Sequence, residues 1–102
     1  MIFLEQDWRE EMEQILNRFV SDRTVVLFGS RCHGTPKPYS DIDLCIMSDN
    51  PVDSITMSQL RLAFSESNLP VTVDVVDWTT VSPEFQKVIS SKCEQVFPKG
   101  SE

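Results

Sequence analysis

Two periodicities of apolar residues divide the chain into helices and strands. Over residues 5–20 the apolar positions recur three and four apart, which predicts an amphipathic helix. A second helix is predicted over residues 54–67, with Asp53 or Ser54 as its cap. A third helix begins at the Ser-Pro-Glu of residues 82–84, which joins a capping hydroxyl to a first-turn proline and acid.

Short apolar runs between these helices predict the strands. Residues 24–28 form a β-branched apolar run, as is typical of a buried central strand. Residues 41–47 alternate in polarity, residues 71–77 are rich in valine, and residues 94–97 suit a short edge strand. This order of elements predicts an α/β or α+β fold, a small mixed β-sheet with helices packed against it. The length suits one domain over residues 1–102.

The charge balance narrows the classes of ligand. Nine Lys and Arg residues stand against sixteen Asp and Glu residues, which gives a net charge of -7. A broad nucleic-acid surface needs clustered Lys and Arg, so the chain is not expected to bind nucleic acid broadly. A nucleotide whose phosphates are neutralised by metal stays compatible with this charge, as does a basic protein partner.

The cysteines and the first residues of the chain indicate the cellular compartment in which the protein is expected. The chain has three cysteines, Cys32, Cys45 and Cys93. Their odd number and the absence of a Cys-x-x-Cys pair argue against a disulfide framework or a zinc site. A reducing cytoplasm is therefore expected. The acidic start lacks the basic region of a signal peptide, and without a run of 18 apolar residues no membrane span is expected.

Three acidic residues fall within the predicted strands, where Asp is disfavoured. Asp41 and Asp43 point to the same face, about 7 Å apart by strand rise. Carboxylates held so close repel each other, and a bound divalent cation removes the conflict. Oxygen ligands suit Mg²⁺ or Mn²⁺. The alternative interpretation is a solvated turn that carries two acids before a strand.

Asp74 supplies a third carboxylate if the third strand lies beside the second. Three carboxylates could then hold two metal ions roughly 3.5–4 Å apart, the arrangement used for in-line phosphoryl displacement. Asp77 is the rival of Asp74 on the same strand, but it faces the opposite way and lies near the strand end. We therefore predict Asp74 as the third acid.

Gly29, Ser30 and Arg31 follow the first strand and are candidates for the phosphate side of a site. Glycine lets the backbone turn sharply and a phosphate approach, and Ser30 would open a short helix that offers its hydroxyl and N–H groups. Arg31 or Lys37 would add positive charge. Taken alone, a Gly-Ser pair is equally a plain strand-to-helix turn.

The spacing between the Gly-Ser pair and the two acids is more specific than either feature alone. Ten residues separate Ser30 from the Asp-Ile-Asp of residues 41–43, and this pattern resembles the signature of the polymerase-beta-like nucleotidyltransferase superfamily. The Leu-Phe-Gly-Ser-Arg-Cys-His-Gly of residues 27–34 and the Ser-Asp-Ile-Asp-Leu of residues 40–44 look closest to the minimal nucleotidyltransferases, or MNT proteins, of bacteria and archaea. The resemblance extends over roughly residues 24–90 and implies the fold of that family.

The resemblance also implies a role for each matched position. The Gly-Ser pair would bind the triphosphate of ATP, the substrate. Asp41 and Asp43 would ligate the metal, and Asp74 would act as a ligand or as a base for the acceptor hydroxyl. Two Mg²⁺ ions are expected, with Mn²⁺ as an alternative. His33 stands where the family has its second arginine, which puts nucleotide affinity or acceptor choice in doubt.

As an MNT-like protein, the chain is expected to be the antitoxin of a toxin-antitoxin pair. It would transfer AMP from ATP to a tyrosine of a helical HEPN-type ribonuclease toxin encoded nearby, within a hetero-oligomer. The 102 residues leave no room for a separate acceptor domain. Two alternatives stay open: a non-catalytic antitoxin that neutralises its partner by complex formation, and a nucleotidyltransferase with a small-molecule or RNA acceptor. A glycosyltransferase is disfavoured because it needs a larger domain and lacks the upstream Gly-Ser.

Overall fold

A computed structural model describes residues 5–32 and 40–98 of the chain. The helices are α1 (Gln6–Val20), α2 (Ser54–Ser65) and α3 (Pro83–Ser91), and the strands are β1 (Thr24–Phe28), β2 (Ile42–Met47), β3 (Val73–Asp77) and β4 (Glu94–Phe97). Single 3-10 turns follow two of the strands, at Gly29–Arg31 and at Trp78–Thr80. No helix among these residues is long and apolar enough to cross a bilayer.

The four strands form one mixed sheet in the order β3-β2-β1-β4. Strand β1 pairs antiparallel with both β2 and β4, whereas β2 and β3 are parallel. A parallel pair needs a long crossover, and α2 provides it. The mixed α/β architecture is confirmed, and the third strand does lie beside the second.

The two faces of the sheet bury different side chains, as the alternation along residues 41–47 predicted. On one face, Ile42, Leu44 and Ile46 join a large core beneath α1 and α2. On the other, Cys45 packs in a smaller cluster with Ile89 of α3. Cys45 is fully buried and fills the core at this position.

The ends of several elements differ from the sequence prediction by one or two residues. Helix α2 ends at Ser65 and β3 begins at Val73, because a tight run of turns joins them over residues 66–72. Asp53 occupies the N-cap position of α2, but its side chain makes no capping hydrogen bond. At α3 the predicted cap is present, since the backbone N–H of Phe85 donates to Oγ of Ser82 at 3.2 Å.

Asp77 fixes the end of β3 against the segment that precedes α2. It is 4% exposed, and its carboxylate accepts hydrogen bonds from the backbone N–H of Val52 at 2.7 Å and of Thr79 at 2.9 Å. The Thr79 hydroxyl donates a third at 2.8 Å. Burial alone would raise the pKa of Asp77, but these hydrogen bonds outweigh it and lower the pKa below its usual value.

We expect Asp77→Ala to lower the free energy of unfolding by about 2–4 kcal/mol, because two backbone N–H groups lose their acceptor. Urea denaturation of the purified variant measures the change. Asp53→Ala is the matched control, since Asp53 is an exposed acid without a capping bond and should cost less than about 0.5 kcal/mol. Equal losses in the two variants would contradict the assigned role of Asp77.

Candidate active site

Asp43 and Asp74 face each other across the parallel strands. They are register partners of β2 and β3, so their backbones are separated by one strand spacing of about 4.8 Å. Asp43 is half-buried, and Asp74 is exposed on the edge strand. Both side chains lie on the sheet face that carries α3, and both line the same cleft. Asp41 precedes β2 by one residue and is exposed.

The surroundings of Asp43 disfavour its negative charge. Burial, and then the negative charges of Asp74 and Asp41, raise the pKa of the Asp43 carboxyl from 3.8 to about 6. A divalent cation would reverse this penalty, and the all-oxygen donor set fits Mg²⁺ or Mn²⁺. Within residues 5–32 and 40–98, however, no three His, Cys, Asp or Glu side chains already converge on one point. The Asp43–Asp74 pair is therefore the centre of the site.

Gly29 brings the backbone of the β1 end against Asp43. Its φ is +80°, a conformation that side-chain-bearing residues rarely adopt. A methyl group at this position would overlap Oδ2 of Asp43 and lie only 3.2 Å from its Cγ. The glycine thus allows the turn Gly29–Arg31 to start directly beside the carboxylate of Asp43.

Arg31 is placed away from the cleft. It is 5% exposed, its guanidinium lies 5.1 Å from the centre of the Trp8 ring, and its Nε donates to the carbonyl of Ser40 at 2.9 Å. These contacts tie the turn after β1 to the residue before Asp41. Its predicted phosphate contact stays a prediction, and His33 and Lys37 lie outside the described residues.

Asp43 and Asp74 form the floor of a cleft of about 710 Å³. Sequence reasoning assigned no site role to three residues that line it, Arg61, Phe85 and Val88. Helical spacing places Phe85 and Val88 on the apolar side of α3 with Ile89, yet they are 37% and 58% exposed, and only Ile89 of this helix is buried. Arg61 reaches round β3 from α2, where its Nη2 donates to the Val75 carbonyl at 3.0 Å.

Comparison with known proteins agrees with this geometry. The profile of the family described as "Polymerase beta, Nucleotidyltransferase" matches residues 10–102. The "Probable protein adenylyltransferase MntA" of Haemophilus influenzae is 47% identical over 78 residues, which are 76% of this chain and 68% of that protein.

Solved structures share the fold. A toxin-antitoxin crystal structure with AMP-PNP aligns with a TM-score of 0.73 at 24% identity, over 87% of this chain and 72% of that one. The complex described as "tri-AMPylated Shewanella oneidensis HEPN toxin in complex with MNT antitoxin" aligns at 0.68 and 22% identity, over 92% and 72% of the two chains.

We expect Asp43→Asn to stabilise the metal-free protein near neutral pH. The folded-state pKa of Asp43 is raised, so the contribution of this group to stability is fully present below about pH 4 and is lost as the pH rises through about 6. Asparagine does not ionise, so the variant does not lose this stability as the pH rises. The gain should be on the order of 1–2 kcal/mol at about pH 7.5, allowing for partial exposure.

Urea denaturation in the presence of a chelator, at about pH 4 and about pH 7.5, measures this difference. Asp22→Asn, at a side chain 83% exposed, is the control and should change little at either pH. An Asp43→Asn gain that is the same at both pH values would contradict the electrostatic origin.

We expect Gly29→Ala to destabilise the fold through two separable costs. The positive φ costs roughly 1–2 kcal/mol for any side-chain-bearing residue. The overlap with the Asp43 carboxylate adds to it. A double-mutant cycle with Asp43→Ala separates them, because removal of the carboxylate abolishes the second cost only. Additive free energies of unfolding in this cycle would show that the two residues do not touch.

Proposed function

We propose, because this chain belongs to the polymerase beta nucleotidyltransferase family, that it transfers AMP from ATP to a partner protein. One observation carries the proposal. Asp43 and Asp74 oppose each other on adjacent parallel strands, and Gly29 brings the phosphate-binding turn against Asp43. The 47% identical relative from Haemophilus influenzae, named a probable protein adenylyltransferase, supports both the reaction and the class of acceptor.

Each residue of the site has a role in this proposal. The backbone of the Gly29–Arg31 turn and the Ser30 residue bind the triphosphate. Asp41, Asp43 and Asp74 hold divalent metal, with Mg²⁺ preferred over Mn²⁺ and two ions expected. When bound, the metal offsets the negative charge of the triphosphate and lowers the pKa of the acceptor hydroxyl. Burial and the negative charges of Asp74 and Asp41, which together raise the pKa of Asp43, support a cation-binding role.

The transfer is a single in-line displacement. The acceptor oxygen forms a bond to the α-phosphorus of ATP, while the bond from that phosphorus to the bridging oxygen of the pyrophosphate breaks. The pyrophosphate leaves with the electron pair of the broken bond. The acceptor proton passes to the carboxylate of Asp74, which is exposed and lines the cleft, and from there to solvent.

The acceptor in this proposal is a tyrosine of a helical HEPN-type toxin. The MNT resemblance supports it, and the Shewanella complex contains an AMPylated HEPN toxin bound to an MNT antitoxin. The net charge of -7 suits a basic partner surface. The chain would thus act as an antitoxin, as one domain within a hetero-oligomer, and Arg31 would support the phosphate turn through its contacts with Trp8 and Ser40.

We expect the wild-type chain, incubated with ATP, Mg²⁺ and the toxin encoded beside it, to increase the mass of the toxin by whole AMP units. Asp41→Asn/Asp43→Asn should lower the rate roughly 10³-fold or more, because the site loses metal ligands. Intact-mass spectrometry measures the product, and tandem spectrometry identifies the modified residue.

Asp22→Asn/Asp49→Asn is the charge-matched control, since both acids are exposed and lie outside the cleft. It should transfer AMP at the wild-type rate. Full activity in the Asp41/Asp43 variant would contradict the proposed site. A wild-type chain that binds and neutralises the toxin without modifying it would instead support a non-catalytic antitoxin.

A further inference from the structure

Two apolar side chains, Phe85 and Val88, form one side of the cleft beside its acids, and we call this pair the apolar wall. Phe85 and Val88, one helical turn apart on α3, are 37% and 58% exposed. Both line the cleft whose floor carries Asp43 and Asp74. Single exposed apolar residues are ordinary, but two adjoining ones beside a polar catalytic floor form a defined surface. Binding of metal and phosphate does not require these two exposed apolar side chains.

The wall has a fixed geometry because its larger member is held by the core. The Phe85 ring packs edge to face against Phe28, with 5.7 Å between ring centres and 81° between ring planes. Phe28 is 7% exposed and directly precedes Gly29. The Phe85 ring is therefore held in a fixed orientation at the side of the cleft.

The direction of an in-line displacement assigns this wall to one of the two substrates. The turn at Gly29 follows β1, whereas Asp74 lies on β3, two strands away across Asp43. Attacking and leaving oxygens lie on opposite sides of the phosphorus. A pyrophosphate held by the turn after β1 therefore requires the acceptor to approach over β3. The cleft extends in that direction, since four consecutive residues of β3, Val73–Val76, line it.

We propose that Phe85 and Val88 bind the aromatic ring of the acceptor tyrosine and so direct its hydroxyl to the acids. This inference rests on the proposed function and adds a subsite that determines acceptor specificity. A phenol suits the subsite because its ring is apolar and its hydroxyl is polar, matching a wall and a floor of those characters. A serine or threonine hydroxyl would leave the wall uncovered.

The first test is kinetic and compares Phe85→Ala and Val88→Ala with the wild type. We expect kcat/KM for the toxin to fall roughly 10-fold for Val88→Ala and further for Phe85→Ala, because apolar contact with the ring is lost. The dissociation constant for AMP-PNP, measured without toxin, should not change for Val88→Ala. Phe85→Leu keeps apolar volume and should restore part of the activity.

Leu62→Ala is the matched control. Leu62 is 56% exposed, close to the 58% of Val88, and it lies on α2 outside the cleft. Its substitution should leave kcat/KM for the toxin unchanged, and thermal unfolding should show that the Val88 and Leu62 variants fold equally well. Unchanged kcat/KM in both α3 variants overturns the inference. A loss confined to AMP-PNP affinity also overturns it, because the wall would then bind the adenine.

The second test does not depend on catalysis. N-acetyl-tyrosinamide added to the ¹⁵N-labelled wild-type chain should shift the backbone NMR signals of Phe85 and Val88, whereas N-acetyl-serinamide should not. Shifts that persist in Val88→Ala, or an absence of shifts in the wild type, overturn the inference. Failure of AMP transfer to the toxin with normal ring binding would count against the proposed function and leave the subsite supported.

Discussion

The parallel pairing of β2 with β3 places Asp43 opposite Asp74, and much of the structure follows from holding these two carboxylates together. Antiparallel neighbours can be joined by a short hairpin, but a parallel pair needs a crossover that also covers the sheet. Helix α2 meets this need, and it buries Leu60 and Phe64 against the face opposite the acids. The apolar core under α1 and α2 thus stabilises an arrangement that the acids themselves disfavour.

The two aspartates of β3 have different charge environments because their side chains point to opposite faces of the sheet. Asp74 and Asp77 are three residues apart and lie on opposite faces of β3. Asp74 adds repulsion to Asp43, whereas the negative charge of Asp77 is stabilised by hydrogen bonds from Val52 and Thr79. The buried acid is therefore a structural group with its acceptor capacity in use, and the exposed acid is the one available to metal or to a substrate proton.

The sequence was sufficient for the strands, the mixed sheet and the placement of Asp43 and Asp74 on one face of it, because strand alternation and the Gly-Ser-x10-Asp-x-Asp spacing are local patterns. It was not sufficient for the wall of the cleft. Helical periodicity places Phe85 and Val88 on the apolar side of α3, but it does not say whether another element covers that side. Nor does it reveal that Arg31 packs against Trp8, since that contact joins the turn after β1 to α1, more than twenty residues earlier.

A ligand that binds the folded site is expected to increase the free energy of unfolding of the chain. In the metal-free chain, burial and the charges of Asp74 and Asp41 oppose ionisation of Asp43, so part of the free energy gained in the core is offset at neutral pH. A cation that binds the folded chain alone recovers this loss by mass action. In the proposed function, a nucleotide that shares the cation and an aromatic acceptor that covers Phe85 and Val88 would add to the effect in turn. Substrate binding would then be linked to the stability of this small fold, and an acceptor supplied by a separate protein would couple that stability to complex formation.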